Sequence, residues 1–403
     1  MSSPSSPGAA PPRADLIGSV IADRYRVIEH LSEGGMASVY LAEHVAVGRR
    51  LALKILHADQ SQQPDLLRRF LQEARAASLV HSPHVIDIID VGVTPDGVAY
   101  MAMELLDGDD LSQLLAREGP LPWSRLGPMI LQICDALAAT HAQGIVHRDI
   151  KPENCFALEF AGARDFIKVI DFGIAKDLEG RTDLGRATTV SGSIYGTAAY
   201  VAPELLAGKQ ADARVDIYAL GVLMYELLAG EKPFPGEALA DILLGHLQTA
   251  PTPLRVRVPG RVPEAVDALV LRCLEKDPGR RIGSMEALAE LVAATLDPLE
   301  MQRAIEAGII PTGSYLAVLR HDPLGPALRR STRASAAVPL ARRPAVHWLL
   351  VVLVLLLALA LAMILGRPQT GAAERVTPAP LPALAARQGP AATPSPPALP
   401  PPP

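Results

Sequence analysis

HRDIKPENCF, residues 147–156, sets a histidine, two cations, two carboxylates and a carboxamide in one short run. Two further stretches follow it, IDFG at 170–173 and YVAPE at 200–204. DFG alone is weak evidence; the eight-residue run with the other two in this order carries much more. Composition adds weight. Of 38 basic residues only seven are lysines, so each lysine that survives invites a reason, and Lys151 is one of them.

Outward from that stretch, the chain has 403 residues, enough for two or three domains. It is 49% apolar and 20% charged, so a large core is within reach. A net charge of -5 gives no reason to expect nucleic acid as a partner. Cys134, Cys155 and Cys273 show neither a disulfide framework nor metal-site spacing, which suits a reducing compartment. Residues 1–24 open with a Ser-, Pro- and Ala-rich run and read as a disordered tail. Globular complexity covers 25–296, strand-like over 25–105 apart from a helical pattern at 64–79, and mostly helical over 106–296. That is an α+β arrangement of a small β-rich lobe and a larger helical lobe, with a cleft between them as the expected ligand site. A linker at 297–344 carries Arg329, Arg330, Arg333, Arg342 and Arg343. The apolar run at 345–366 is long enough for one transmembrane helix, and a Pro/Ala-rich tail fills 367–403.

In the small lobe, LSEGGMASVY (31–40) places two glycines between strand-like runs. By itself this reads first as an ordinary hairpin tip, with a backbone cradle for phosphates as the alternative. LALKIL (51–56) follows, and strand alternation puts Ala52 and Lys54 on one face. A site that needs a compact ammonium cannot take a guanidinium fork instead. PDLLRRFLQEARAASL (64–79) has helical periodicity, with Leu66, Leu67, Phe70, Ala74 and Ala77 on one side. Glu73 lies close to that apolar side, where a carboxylate needs a partner, and Lys54 is the natural candidate.

Taken together, HRDIKPEN, DFG and APE resemble the signature of the eukaryotic-type protein kinase family, in its serine/threonine branch. The likeness extends to bacterial kinases anchored by a single span. It implies a two-lobed kinase fold, ATP with Mg²⁺ (Mn²⁺ as the alternative metal), and protein substrates. Asp149 is then the residue that accepts or orients the substrate hydroxyl proton, and Lys151 steadies the transferring phosphoryl group. Lys54 holds the α/β-phosphates and pairs with Glu73. Asn154 and Asp171 supply oxygens to the metal. Asp216 anchors the catalytic loop from beneath, Glu204 and Arg281 form a buried ion pair, and His147 is scaffold. Met103 stands at the gatekeeper position, with Glu104 and Leu106 offering backbone groups to adenine.

The family's G-x-G-x-x-G-x-V loop falls on Ser32, Gly34, Ala37 and Val39, so one of its three glycines is kept. Leu31, Ser32, Glu33, Gly34, Gly35, Met36, Ala37, Ser38 and Val39 would cover the nucleotide, with Ala52 beneath it. The middle glycine is where backbone comes closest to phosphate and tolerates a side chain least. Two other readings stand beside this one: a membrane-anchored pseudokinase scaffold, supported by the two altered glycines, and a small-molecule phosphotransferase on a related fold.

The resemblance carries expectations about control. Arg148 can pair with a phosphate on the activation segment, at Thr188, Thr189 or Ser191 among the hydroxyls of 181–200. Thr197 belongs to the substrate side. The arginines before the apolar run predict a cytoplasmic kinase domain and an extracytoplasmic tail, in a cell membrane. Pairing of two copies through the lipid-embedded span is the expected route to phosphorylation of one by the other.

Overall fold

The computed structural model describes residues 16–61, 63–160, 162–172 and 198–306. Six strands form one antiparallel sheet: β1 (Val20–Ile21), β2 (Tyr25–Glu33), β3 (Ala37–His44), β4 (Arg50–Leu56), β5 (Ile88–Val93) and β6 (Ala99–Met103), in the order β1-β2-β3-β4-β6-β5. Between β4 and β5 lie the short helix α1 (Ala58–Ser61) and the long helix α2 (Pro64–Leu79).

The sheet is apolar on both faces, and alternation sorts its residues. Leu51, Leu53, Ile55, Tyr100 and Ala102 join Tyr25, Val27 and Tyr40 in an outer cluster. Ala52, Leu56, Met101 and Met103 face inward and join Phe70, Ala74 and Ala77 of α2 in the main core. Lys54 shares this face of β4 with Ala52 and Leu56, paired in register with Val39 and Met101. Packing of the apolar side of α2 on that face carries Glu73 to the lysine.

The larger lobe begins with β7 (Gly108–Asp110), α3 (Leu111–Glu118) and α4 (Trp123–Ala142). Asp110 starts α3 with a capping box, its carboxylate accepting from Ser112 and Gln113 backbone N–H groups. Strand β8 (Cys155–Phe160) pairs with β7 on one side and with β9 (Ala163–Val169) on the other, in a second, three-stranded sheet. The remaining helices are α5 (Pro203–Leu206), α6 (Arg214–Ala229), α7 (Leu239–Gln248), α8 (Leu254–Arg257), α9 (Glu264–Cys273), α10 (Met285–Ala293) and α11 (Pro298–Glu306). Helix α6 is apolar nearly all round and lies in the core, which is where such a helix belongs. It stops at Gly230, whose φ of 82° is the left-handed conformation a helix end asks of glycine.

Two expected boundaries move. The fold starts before Tyr25: β1 pairs with β2, and Ile21 is buried. A two-residue strand is too short to show a period, so the end of the Pro-rich tail was placed late. At the other end, part of the expected linker is helix α11, with Met301 in the core. The lobe expected to be mostly helical also holds the β7-β8-β9 sheet. Among the described residues no helix is long and apolar enough to cross a membrane. The expected span at 345–366, its arginine-rich approach and the 367–403 tail lie outside the described residues, as does the segment 173–197 with Thr188, Thr189, Ser191 and Thr197.

Candidate functional site

Lys54 is held between two carboxylates. Its Nζ donates to Glu73 Oε1 at 3.0 Å and to Asp171 Oδ1 at 2.6 Å. Burial works against the ammonium, but Asp171 and Glu73 outweigh it and hold the Lys54 pKa above the ordinary lysine value. The two carboxylates divide unequally. Burial raises Asp171 too, yet the close Lys54 brings it below the usual aspartate value. Burial together with the charge of Asp171 leaves Glu73 above the usual glutamate value, despite Lys54. One ammonium thus faces more negative charge than it can neutralise.

The loop 147–154 is built on Asp216, which is fully buried at the start of α6. Its Oδ2 accepts from the His147 backbone N–H at 2.8 Å and from His141 Nε2 at 2.8 Å; its Oδ1 accepts from the Arg148 backbone N–H at 2.7 Å. That grip holds Arg148 at φ 63°, a left-handed conformation uncommon outside glycine. His147 Nε2 faces the Ile170 carbonyl at 3.1 Å, and its Nδ1 accepts from the Asp149 N–H at 3.3 Å. Nε2 therefore carries the proton. Burial, against the pull of nearby carboxylates, lowers the His147 pKa and keeps the ring neutral. The ring ties the loop to the strand that leads into Asp171, which itself sits at φ 55°.

Asp149 follows. Asn154 Nδ2 donates to its carbonyl at 2.7 Å and to its Oδ2 at 3.2 Å, and Lys151 Nζ stands 3.6 Å from the same Oδ2. Because both Asp149 atoms are acceptors, the Asn154 amide must present its nitrogen to them and its oxygen elsewhere. Asp171 and Asn154 are thus a carboxylate and a carboxamide oxygen, the hard donors a magnesium ion takes when substrate phosphates complete its shell. Among the described residues no three His, Cys, Asp or Glu side chains form a closed metal cage.

At the edge of the cleft, Ala52 pairs in register with Met103. The Glu104 backbone N–H is taken by the Asp87 carbonyl at 3.0 Å, so of its two backbone groups the carbonyl is the one to offer a nucleotide. Its side chain also has a role that the sequence did not reveal. Glu104 Oε1 accepts from Lys168 Nζ at 2.6 Å and from the Asp87 N–H at 2.8 Å, fixing the link between the lobes to β9. The scarcity of lysine was the signal that could have found Lys168. Leu106 packs against the core just beyond, at the start of the larger lobe.

The glycine stretch is a hairpin tip, with Glu33 opposite Ser38 and Ser32 opposite Val39. Gly34 donates to the Ala37 carbonyl at 2.9 Å, and a Cβ on Gly34 would lie 3.1 Å from that oxygen. Gly35 has open space around it. Leu31 is exposed, while Met36 and Val39 pack against the main core. Alternation sends Val39 and Ala37 to the Lys54 face and Ser38 to the other, so the side chains of Ser38 and its cross-strand partner Glu33 face away from the expected nucleotide surface. Only their backbone remains for it.

Below the cleft, Arg281 and Glu204 meet through two hydrogen bonds of 2.6 and 2.7 Å, and both are buried.

A sequence model of the protein kinase domain matches residues 25–292. The chain is 40% identical to serine/threonine-protein kinase Pkn1 of Myxococcus xanthus over 312 residues, which is 77% of this chain and 43% of that protein. It is 38% identical to serine/threonine-protein kinase PrkC of Bacillus subtilis over 70% of this chain and 42% of that protein. The chain therefore spans under half the length of these relatives. Among solved structures, the kinase domain of Mycobacterium tuberculosis PknI aligns with a TM-score of 0.53 at 27% identity, covering 69% of this chain and 99% of that one.

Proposed function

This chain belongs to the protein kinase family, and from that premise we propose that it transfers the γ-phosphoryl group of ATP to serine and threonine hydroxyls of proteins. The observation that carries the proposal is Lys54 held at 3.0 Å from Glu73 and 2.6 Å from Asp171. This is a cation kept ready for phosphate, beside more anionic charge than it can neutralise. When nucleotide binds, Lys54 keeps Glu73 and turns to the α/β-phosphates. Asp149 orients the incoming hydroxyl and takes its proton; a loose transition state asks more for this positioning than for a strong base. Lys151, already beside Asp149, stabilises charge on the group in transit. Asn154 and Asp171 would hold Mg²⁺ or Mn²⁺, which when bound neutralises charge developing on the phosphates. The Glu104 carbonyl and the backbone of Leu106 receive adenine.

The pseudokinase reading rests on Ser32 and Ala37 alone, and both lie in a hairpin whose middle glycine is kept. The full chain, in detergent, incubated with γ-labelled ATP and Mg²⁺ should incorporate label, and Asp149→Asn should not. Equal labelling of both proteins, or none in either, would overturn the reading.

The same proposal extends to the cell membrane. The run at 345–366 is a single span, and the arginines at 329–343 keep the kinase domain in the cytoplasm, with 367–403 outside. The kinase domain is taken as 25–296, a reading that the family match over 25–292 supports. Two copies brought together by their spans phosphorylate one another at Thr188, Thr189 or Ser191. Protease applied to intact cells should trim the tail and spare the kinase domain, and mass spectrometry should find phosphate in the segment 181–200. An unmodified segment in an active preparation would exclude this mode of control.

A further inference from the structure

Three strand ends of the small lobe meet at one polar knot. Glu33 ends β2, Ser38 lies at the start of β3, and His57 follows β4 directly. Ser38 Oγ donates to Glu33 Oε2 at 2.7 Å and lies 3.0 Å from His57 Nε2. His57 Nε2 is 3.2 Å from Glu33 Oε1, and His30 Nε2 is 3.1 Å from Glu33 Oε2. The His57 backbone N–H donates to the Met36 carbonyl, at the hairpin tip itself, at 2.9 Å. Ser38 and His57 are both buried. Since Ser38 already donates to Glu33, His57 Nε2 must carry a proton to approach either oxygen favourably.

From this arrangement we propose that Glu33, Ser38 and His57 brace the phosphate-covering hairpin, and that His57 is a positioning residue for ATP. The inference rests on the kinase reading of the same site. The brace grips the hairpin on the face opposite Val39 and Lys54, so it shapes the loop without touching nucleotide. Ordering a loop costs conformational entropy, and a loop already ordered in the free protein does not meet that cost again when ligand binds. The sequence shows the same bias. Ser32 and Ala37 stand where the family signature has glycines, so the chain gives up backbone freedom at the positions flanking the brace. Loop geometry here is set by side chains behind the hairpin as well as by glycines within it.

The test compares the full chain with His57→Leu, His57→Gln, Ser38→Ala and the double variant His57→Leu/Ser38→Ala. Autophosphorylation gives KM for ATP and kcat, calorimetry with ADP and Mg²⁺ gives affinity, and melting without nucleotide checks folding. His57→Leu should raise KM for ATP and Kd for ADP by roughly three- to tenfold, the net range of one ordinary hydrogen bond, with kcat changed less than about twofold. Ser38→Ala should weaken ADP in the same way. The double variant should be no worse than the weaker-binding single variant, because both break one brace. His57→Gln, which still donates to Glu33, should stay near wild type. Unchanged ADP affinity in His57→Leu, multiplicative effects in the double variant, or a glutamine as damaging as leucine would each overturn the brace. A wild type that binds ADP but incorporates no label would defeat the kinase reading instead, and the ADP comparison would still decide this one.

Discussion

Arg281 and Lys54 are both buried cations facing carboxylates, but their surroundings are balanced in opposite ways. All five N–H groups of Arg281 have acceptors: Glu204 through both oxygens, and the backbone carbonyls of Glu275, Lys276 and Arg214. The Tyr218 ring lies against the guanidinium, 4.8 Å from centroid to carbon. Nothing is left over for a ligand. In the cleft, Lys54 and Lys151 face Glu73, Asp171 and Asp149, and the Glu73 pKa is raised. The first arrangement holds the fold together. The second keeps unbalanced charge in place at some cost to the fold, as a site that binds a cation and a polyphosphate must.

The contrast predicts that rate and stability separate. Asp149→Asn should lower phosphotransfer by roughly 10²–10⁴-fold, the scale of a lost catalytic carboxylate, and leave the melting temperature where it was. Arg281→Met should do the reverse at the level of the fold, destabilising by about 3–5 kcal/mol because it strands Glu204 without its partner. Chemical denaturation measures this directly. Loss of under about 1 kcal/mol would show that the pair is not the structural element described.

Tyr218, which packs on Arg281, also meets a buried group that sharpens the comparison through pH: its hydroxyl lies 2.8 Å from His246 Nδ1. Burial, then the charge of Lys276, brings the His246 pKa from 6.5 to about 4. Between those values the unfolded chain binds a proton that the folded chain does not, so stability falls as pH drops through that window. The loss is roughly 3 kcal/mol by pH 4, and the lowered pKa values of His84 and His147 act with the same sign. His246→Gln should flatten this acid limb in denaturation curves at pH 4 to 7. A limb of unchanged steepness would assign it to other groups.

The smallest effect is expected at the hairpin. Ser32→Gly with Ala37→Gly should change KM for ATP or kcat by at most about tenfold. A jump from no activity to robust activity would instead favour a pseudokinase ancestry for this loop.

What could be read from the sequence follows from the reach of each signal. The catalytic loop was legible because HRDIKPEN is contiguous and its chemistry leaves little room for substitution. Helix α2 was legible from its period, and structure and pattern agree on 64–79. Glu73 was legible as an inward carboxylate in need of a partner. The Glu104–Lys168 pair joins residues 64 positions apart with no local pattern, so only the fold brings them together. The Glu33–Ser38–His57 knot was hidden for the same reason. Its members are ordinary polar residues, and only the pairing of β2, β3 and β4 makes them neighbours. The three-stranded sheet of the larger lobe escaped because β7 is three residues long, and β8 and β9 pass for loop beside strong helices.

Asp171→Asn tests the central claim most directly, by thermal unfolding of the full chain with and without ATP and Mg²⁺. Replacing Asp171 leaves Lys54 paired with Glu73 and removes one of the charges that, after burial, raise the Glu73 pKa. The account predicts a ligand-free melting temperature at or above wild type, with the rise that ATP and Mg²⁺ give the wild type lost. A ligand-free drop as large as that of Arg281→Met, or a rise with ATP and Mg²⁺ equal to that of the wild type, would contradict it.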